Sequence, residues 1–364
     1  MMAISSRENT LRAFRFEKPE WIPISAGFTS VMWDAGRGND PEEIEDLLVS
    51  HPILFPSYQK GTANRVETHP DMFAGQPYTD GWGCVWETTI TGLCGLTTGH
   101  PLADWGPLCS APEGVRLDTF SSPDPEFHDG KFPLNWPRLR EHALEARKEG
   151  WLVRFDLPHG HTYLRLQDLR GFENLMYDMM DADPRLDRLV DLIEQFNLAL
   201  IDRFLALQPD IVGIPEDLGA QEHLVISPKM FRKYIKPSYL RMTERIKAHG
   251  VLVHEHSDGH ILEIIDDLVD AGGDILNLQD LVNGIDNIAR CVKGRLAIDL
   301  DIDRQSVTVT GSRQDIDDHI HECVAKLGSP EGGLSLFYQP WPPTSVENMR
   351  FTFDALEKYC LFYS

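Results

Sequence analysis

Residues 251–260 read VLVHEHSDGH, and the chemistry of the chain can be organised around them. Three apolar residues lead into two histidines and an acid, and a glycine then breaks the run. Alternate side chains of a strand share a face. Leu252, His254 and His256 therefore point one way, and Val251, Val253 and Glu255 the other. Two imidazoles on one face near a strand's end suit metal binding or proton transfer. Asp258 follows at once, where a turn can aim its carboxylate at the same place. A pair of histidines satisfied by nearby carbonyls is the plainer reading of the same motif.

Other chemistry-bearing residues also fall at the ends of apolar runs. WLVRFDLP (151–158) closes on Asp156 and is followed by His159. DIVGIP (210–215) is followed by Glu216 and Asp217. DILNLQ (274–279) ends on Gln279, RLAIDLD (295–301) carries Asp299 and Asp301, and LSLFY (334–338) ends on Tyr338 with Trp341 just beyond. Each alone reads as a cap or a turn residue. A fold that makes strand ends converge turns them into one site.

The pattern between these runs supplies that fold. From about residue 137, short apolar strands alternate with helices at least five times, which marks a parallel α/β protein. Gly150 stands in C-cap position after a helix. Asp183 with Pro184, and Ser227, stand where helices begin, and Ser312 with Asp315 and Thr344 with Glu347 have capping-box spacing. No GxGxxG or GxxxxGK[ST] loop follows a strand, so a nucleotide-binding open sheet is not indicated. The expectation is a single (β/α)8 TIM barrel over 1–364 with its polar residues at the C-terminal mouth. Residues from about 60 to 135 would be appended hairpin and loops. Within them 78–98 reads as a hairpin turning at Thr91-Gly92 with Trp82 and Trp86 on one face, and 99–137 is proline-rich loop.

Composition bounds the function. The 364 residues carry 42% hydrophobic and 25% charged side chains, as soluble globular proteins do. A formal net charge of −23 repels nucleic acid and anionic membrane surfaces alike. Cysteines at 84, 94, 109, 291, 323 and 360 form no CxxC pair and read as reduced thiols. The N-terminal stretch is charged where a signal peptide is apolar, and no run is long enough to span a bilayer. A cytoplasmic location is expected.

The ordered segments also carry a family likeness. SRENTLRAFRFEKPEWIPI, DGWGCVWE with HPLADW, LRGFENLMYDM, EDLGAQ, ISPKMFRKYIKP, HSDG, DAGGDILN and WPPTSVENM together resemble the uroporphyrinogen decarboxylase superfamily of barrel enzymes. The likeness is closer to its corrinoid-dependent methyltransferase-like branch. The decarboxylases carry an Arg-Gln-Ala-Gly-Arg-type segment where this chain reads ISAGFTSVMWDAG, a segment with no arginine until Arg37 just beyond it. In thiol-methylating members a His-x-Cys pair and a later Cys bind zinc. Here His256 takes the histidine position, Asp258 the first cysteine position, and the later one falls in FYQPWPP, which has none.

The resemblance implies a corrinoid-dependent methyltransferase that removes methyl groups from a small aryl methyl ether or methylamine-type substrate, with the corrinoid on a separate protein. It also implies a homodimer. Zinc would sit on His256 with Glu216 and Asp258 as metal ligands. His256, His254, Asp258 and Asp217 are the catalytic candidates. Trp33, Asp156, His159, Gln279, Tyr338 and Trp341 are the candidates for holding substrate. The competing expectations are a cofactor-free decarboxylase or lyase working with aspartate and histidine alone, and a binding module without chemistry.

Overall fold

The computed structural model describes residues 4–33, 40–61, 69–105 and 120–364. Cys109 and residues 106–119 of the proline-rich stretch lie outside the described residues, as does Arg37. Ten strands are described: β1 Ile24–Ala26, β2 Tyr78–Thr79, β3 Val85–Glu87, β4 Leu96–Gly99, β5 Arg154–Asp156, β6 Ile211–Pro215, β7 Leu252–Ser257, β8 Ile275–Gln279, β9 Ala297–Asp301 and β10 Leu334–Tyr338.

Local chemistry starts and stops the helices between them. Asp40 and Asp183 each accept a backbone N–H of the helix that follows, with proline in its first turn. Ser312 and Asp315 form a reciprocal capping box on Arg313–Leu327. Gly150 ends Trp136–Glu149 in the left-handed conformation at φ 74°. The last helix starts one residue later than its sequence suggests, because Ser345 and not Thr344 caps Val346–Tyr359.

Contacts divide the chain into two compact units interleaved in sequence. One holds 1–74, 89–94 and 275–364. Its parallel strands run β1-β10-β9-β8, with Ile24 opposite Leu336, Leu336 opposite Leu300 and Leu300 opposite Leu278. The helix Val346–Tyr359 packs against Arg313–Leu327 and Pro41–Ser50.

The other unit holds 75–88 and 95–274. Its parallel strands run β5-β6-β7, with Asp156 opposite Gly213, Gly213 opposite His254 and Pro215 opposite His256. Phe155 stacks on Phe204 of the helix Pro184–Leu205 at 5.3 Å between ring centroids. That contact fixes the phase of β5: Phe155 faces the helix, so Arg154 and Asp156 face away from it.

The same unit carries an antiparallel ribbon, β2-β3-β4. The expected hairpin is thus three-stranded, with Thr91-Gly92 in the connection from β3 to β4. Buried Asp80 organises it. Its carboxylate accepts the backbone N–H groups of Trp82 and Cys84, each at 2.9 Å, and the Trp86 indole at 3.0 Å. Arg165 closes the set with a buried ion pair at 2.7 Å. Trp82 and Trp86 are both buried, Trp82 edge-on to Phe196, so their role is packing.

Seven parallel strands among the described residues, four in one unit and three in the other, alternate with helices. This is the expected α/β class, and an eighth parallel strand is not found among the described residues. No helix among them is long and apolar enough to cross a membrane. Leu200 is wholly buried in the helix Pro184–Leu205. Leu200→Ala should cost about 2–5 kcal/mol in urea unfolding, and a loss indistinguishable from zero would show that this helix is not packed as described.

Candidate metal and substrate site

The candidate site is built on the face of β5, β6 and β7 opposite the one Phe155 gives to the helix Pro184–Leu205. Period-two alternation places Arg154 and Asp156, Gly213 and Pro215, and Leu252, His254 and His256 on it. At the strand ends, His159, Asp217 and His256 come together, with one ligand atom of each within 4.8 Å of the others. His159 Nε2 lies 3.2 Å from Asp217 Oδ1 and His256 Nε2 lies 3.6 Å from the same oxygen. The imidazole centroids are 5.6 Å apart. Asp258 borders the group, its Oδ1 3.9 Å from His256 Nε2, and its backbone N–H donates to Asp217 at 3.2 Å.

Two glycines allow the loops carrying these acids to touch. A Cβ on Gly259 would stand 2.2 Å from the carbonyl of Gly219, and one on Gly219 would stand 2.5 Å from the amide of His260. The loops are tied there by Gly219 N–H to Asp258 O at 3.3 Å and His260 N–H to Ala220 O at 2.7 Å. Asp217 and Asp258 are thereby held beside each other. Burial alone would raise the Asp217 carboxyl. Hydrogen bonds and charge from His159 and His256 outweigh it and hold the group well below the usual carboxylate range.

Glu216, expected as a metal ligand, is turned away from this cluster. Its neighbour Asp217 faces the histidines, while Glu216 is fully buried and accepts the backbone N–H groups of Thr162 at 3.2 Å and Leu164 at 2.8 Å. The Tyr239 hydroxyl donates to it at 3.3 Å. The helix Tyr163–Arg170 has no side-chain cap from Thr162, so Glu216 caps it from another element. Burial pushes the Glu216 carboxyl up to about 7 despite those amides.

His254 lies on the face of His256 but has different surroundings. Arg154 Nη2 is 3.2 Å from its Nδ1. A guanidinium can only donate. Nδ1 is therefore the acceptor, and the ring proton sits on Nε2. Asp156, expected to hold substrate, takes the Arg154 guanidinium instead, with Nε at 2.8 and 3.1 Å from its two oxygens. Arg154 was not singled out from the sequence. The signal available was a cation inside an otherwise apolar strand, two residues before Asp156.

The remaining candidates belong to the other unit. Trp33 ends the turn Ser30–Trp33 against Phe28 at 5.7 Å. Gln279 closes β8 and is buried. Tyr338 closes β10, buried and edge-on to Phe353 at 5.9 Å. Trp341 follows three residues later and is partly exposed. That unit also holds a buried group the sequence reading missed. Asp280 Oδ2 is 2.7 Å from His319 Nε2, and Cys323 Sγ is 3.9 Å from both. Its sequence signal is the His-x3-Cys spacing, one helical turn. Asp280 also accepts the amides of Leu281 and Asp303, so it ties a strand end to a helix.

His161, two residues past His159, is buried, and burial pushes its imidazole down to about 3 from 6.5. Between those values the unfolded chain binds a proton that the folded one refuses, so acidification removes stability over that window. Going from about pH 7 to about pH 5 should cost wild type more unfolding free energy than His161→Phe. Equal losses in urea titrations would refute the assignment.

A family model described as uroporphyrinogen decarboxylase (URO-D) matches residues 163–359. Among solved structures, a methyltransferase from Methanosarcina mazei is similar over 99% of this chain and 100% of its own, at 15% identity and a TM-score of 0.66. A B12-independent methionine synthase from Shewanella sp. W3-18-1 is similar over 62% of this chain and 66% of its own, at 13% identity and a TM-score of 0.41. No curated protein matches the sequence.

Proposed function

The chain belongs to the uroporphyrinogen decarboxylase family, and from that premise we propose that it is a methyltransferase of the demethylating kind. It would take a methyl group from a small aryl methyl ether or methylamine-type substrate and pass it to a corrinoid carried by a separate protein. The observation that carries this reading is the His159–Asp217–His256 cluster at the ends of β5–β7. The whole-length similarity to a methyltransferase fold is consistent with it.

The cluster fits a zinc ion or a similar divalent metal. It offers two imidazole nitrogens and a carboxylate oxygen within 4.8 Å, an open three-ligand set of the kind catalytic zinc uses. His159, Asp217 and His256 would hold the ion, with Asp258 beside them. When bound, it supplies Lewis acidity that makes the methyl-bearing heteroatom a better leaving group. Nitrogen and oxygen donors without thiolate suit ether or amine oxygen and nitrogen better than a thiol.

The chain's own residues do the rest. Asp217 stays ionised and orients both imidazoles through one oxygen. His159, half exposed at 50%, forms the open side through which substrate enters. His254, buried on the same face, is held by Arg154 in the tautomer with its proton on Nε2. A decarboxylase or lyase working without metal draws on the same ionised Asp217 and its two histidines as acid and base. Metal dependence separates the two readings.

Protein purified without chelator should contain about one divalent ion per chain, and affinity should fall as acid protonates the imidazoles. His256→Ala and Asp217→Asn should each abolish metal binding and methyl transfer while circular dichroism shows the fold intact. Elemental analysis with a methyl-transfer assay reads both. Metal-free protein with full activity in strong chelator would remove the metal from the account and leave the acid–base reading.

A further inference from the structure

We infer that Asp280, His319 and Cys323 form a second, internal metal centre, one that takes a thiophilic divalent cation. The centre belongs to the other unit, shares no residue with the His159–Asp217–His256 cluster and goes beyond the function proposed above.

The three ligand atoms already stand close to a coordination sphere. Each lies within 4.8 Å of the other two. His319 Nε2 is 2.7 Å from Asp280 Oδ2, and Cys323 Sγ is 3.9 Å from both. A tetrahedral ion with bonds of about 2.0–2.3 Å holds its donors about 3.3–3.7 Å apart. The Asp280–His319 pair therefore has to open by about half an ångström, and the thiol to close by less. His319 and Cys323 stand four residues apart on Arg313–Leu327, so both reach the same side of that helix. Asp280 meets them from just beyond β8, held by the amides of Leu281 at 2.5 Å and Asp303 at 3.0 Å. Such outer bonds fix a ligand's direction before an ion arrives.

Charge selects a divalent ion. All three side chains are buried, Cys323 completely. A buried set of this kind is stable only when it is close to neutral overall. Burial alone would lower the His319 imidazole, but the hydrogen bond and charge of Asp280 outweigh it and raise it. Burial pushes the Cys323 thiol well up. Without metal the set is carboxylate, imidazolium and thiol, with no net charge. A divalent cation that displaces one proton from His319 and one from Cys323 keeps it at zero. A monovalent ion would leave a negative charge buried. Asp303 and Glu322 add negative charge around His319, and Lys326 offsets part of it at Cys323. A donor set with a thiolate and an imidazole suits zinc or cadmium better than magnesium or calcium. The open cluster has no thiol to deprotonate, so the first zinc ion goes there and this centre fills second.

The test is a cadmium titration of the full chain, refolded from urea in its presence so that burial does not limit entry. The ultraviolet thiolate-to-cadmium charge-transfer band reads this centre and not the open cluster, which has no sulfur. Wild type should develop the band up to about one equivalent and unfold at higher urea as cadmium rises. Cys94→Ser, which removes an exposed thiol, should behave as wild type. Cys323→Ser should lose both the band and the stabilisation. His319→Gln should bind at least about tenfold more weakly. Circular dichroism checks that each variant is folded, and where Cys323→Ser is not, His319→Gln alone decides. No band, a band that survives in folded Cys323→Ser, or affinity unchanged in His319→Gln overturns the centre. None of these readouts involves methyl transfer, so their outcome is separate from that of the function proposed above.

Discussion

The parallel register of β5, β6 and β7 is the constraint from which the site follows. Asp156, Gly213 and His254 lie side by side, and His256 lies beside Pro215. A strand has only two faces, so this register sends Arg154, Asp156, His254 and His256 to one side and Phe155, Val253 and Glu255 to the other. A slip of one residue in β7 would bury both histidines' positions against helices and bring Glu255 out. The loops beyond the strands then need only a short reach to close His159 and Asp217 on His256. The backbone contact between Gly219 and Gly259 sets that reach.

The same alternation explains two adjacent carboxylates with opposite roles. Glu216 points to the helix side and caps Tyr163–Arg170 with its buried carboxyl raised to about 7. Asp217 points to the histidines and is held ionised. Environment separates two similar side chains, as it does wherever one carboxyl is desolvated and its neighbour is paired with cations. The histidines of β7 divide in a similar way. His256 faces Asp217, whereas Arg154 fixes the tautomer of His254.

Much of the architecture was legible in the sequence because it is written locally. Asp183 with Pro184, Ser312 with Asp315, and Gly150 announce helix ends through hydrogen bonds that span only a few residues. The strand-end positions of Asp156, Asp217, His256 and Asp258 followed from where apolar runs stop. What the sequence hid depends on partners distant in the chain. Glu216 and Asp217 look equivalent until the amides of Thr162 to Leu164 take one and His159 takes the other. Arg154 reads as an interruption of an apolar strand until Gly213 and His254 give it a lock. Asp280 acquires meaning only when His319 and Cys323 arrive on a later helix.

The central claim is that His159, Asp217 and His256 form one metal-binding centre. Anomalous X-ray scattering at the zinc edge, from crystals grown with zinc, tests it most directly. The account predicts a single strong peak within coordination distance of His159, Asp217 and His256. No peak there, or one found only among Asp280, His319 and Cys323, would contradict it.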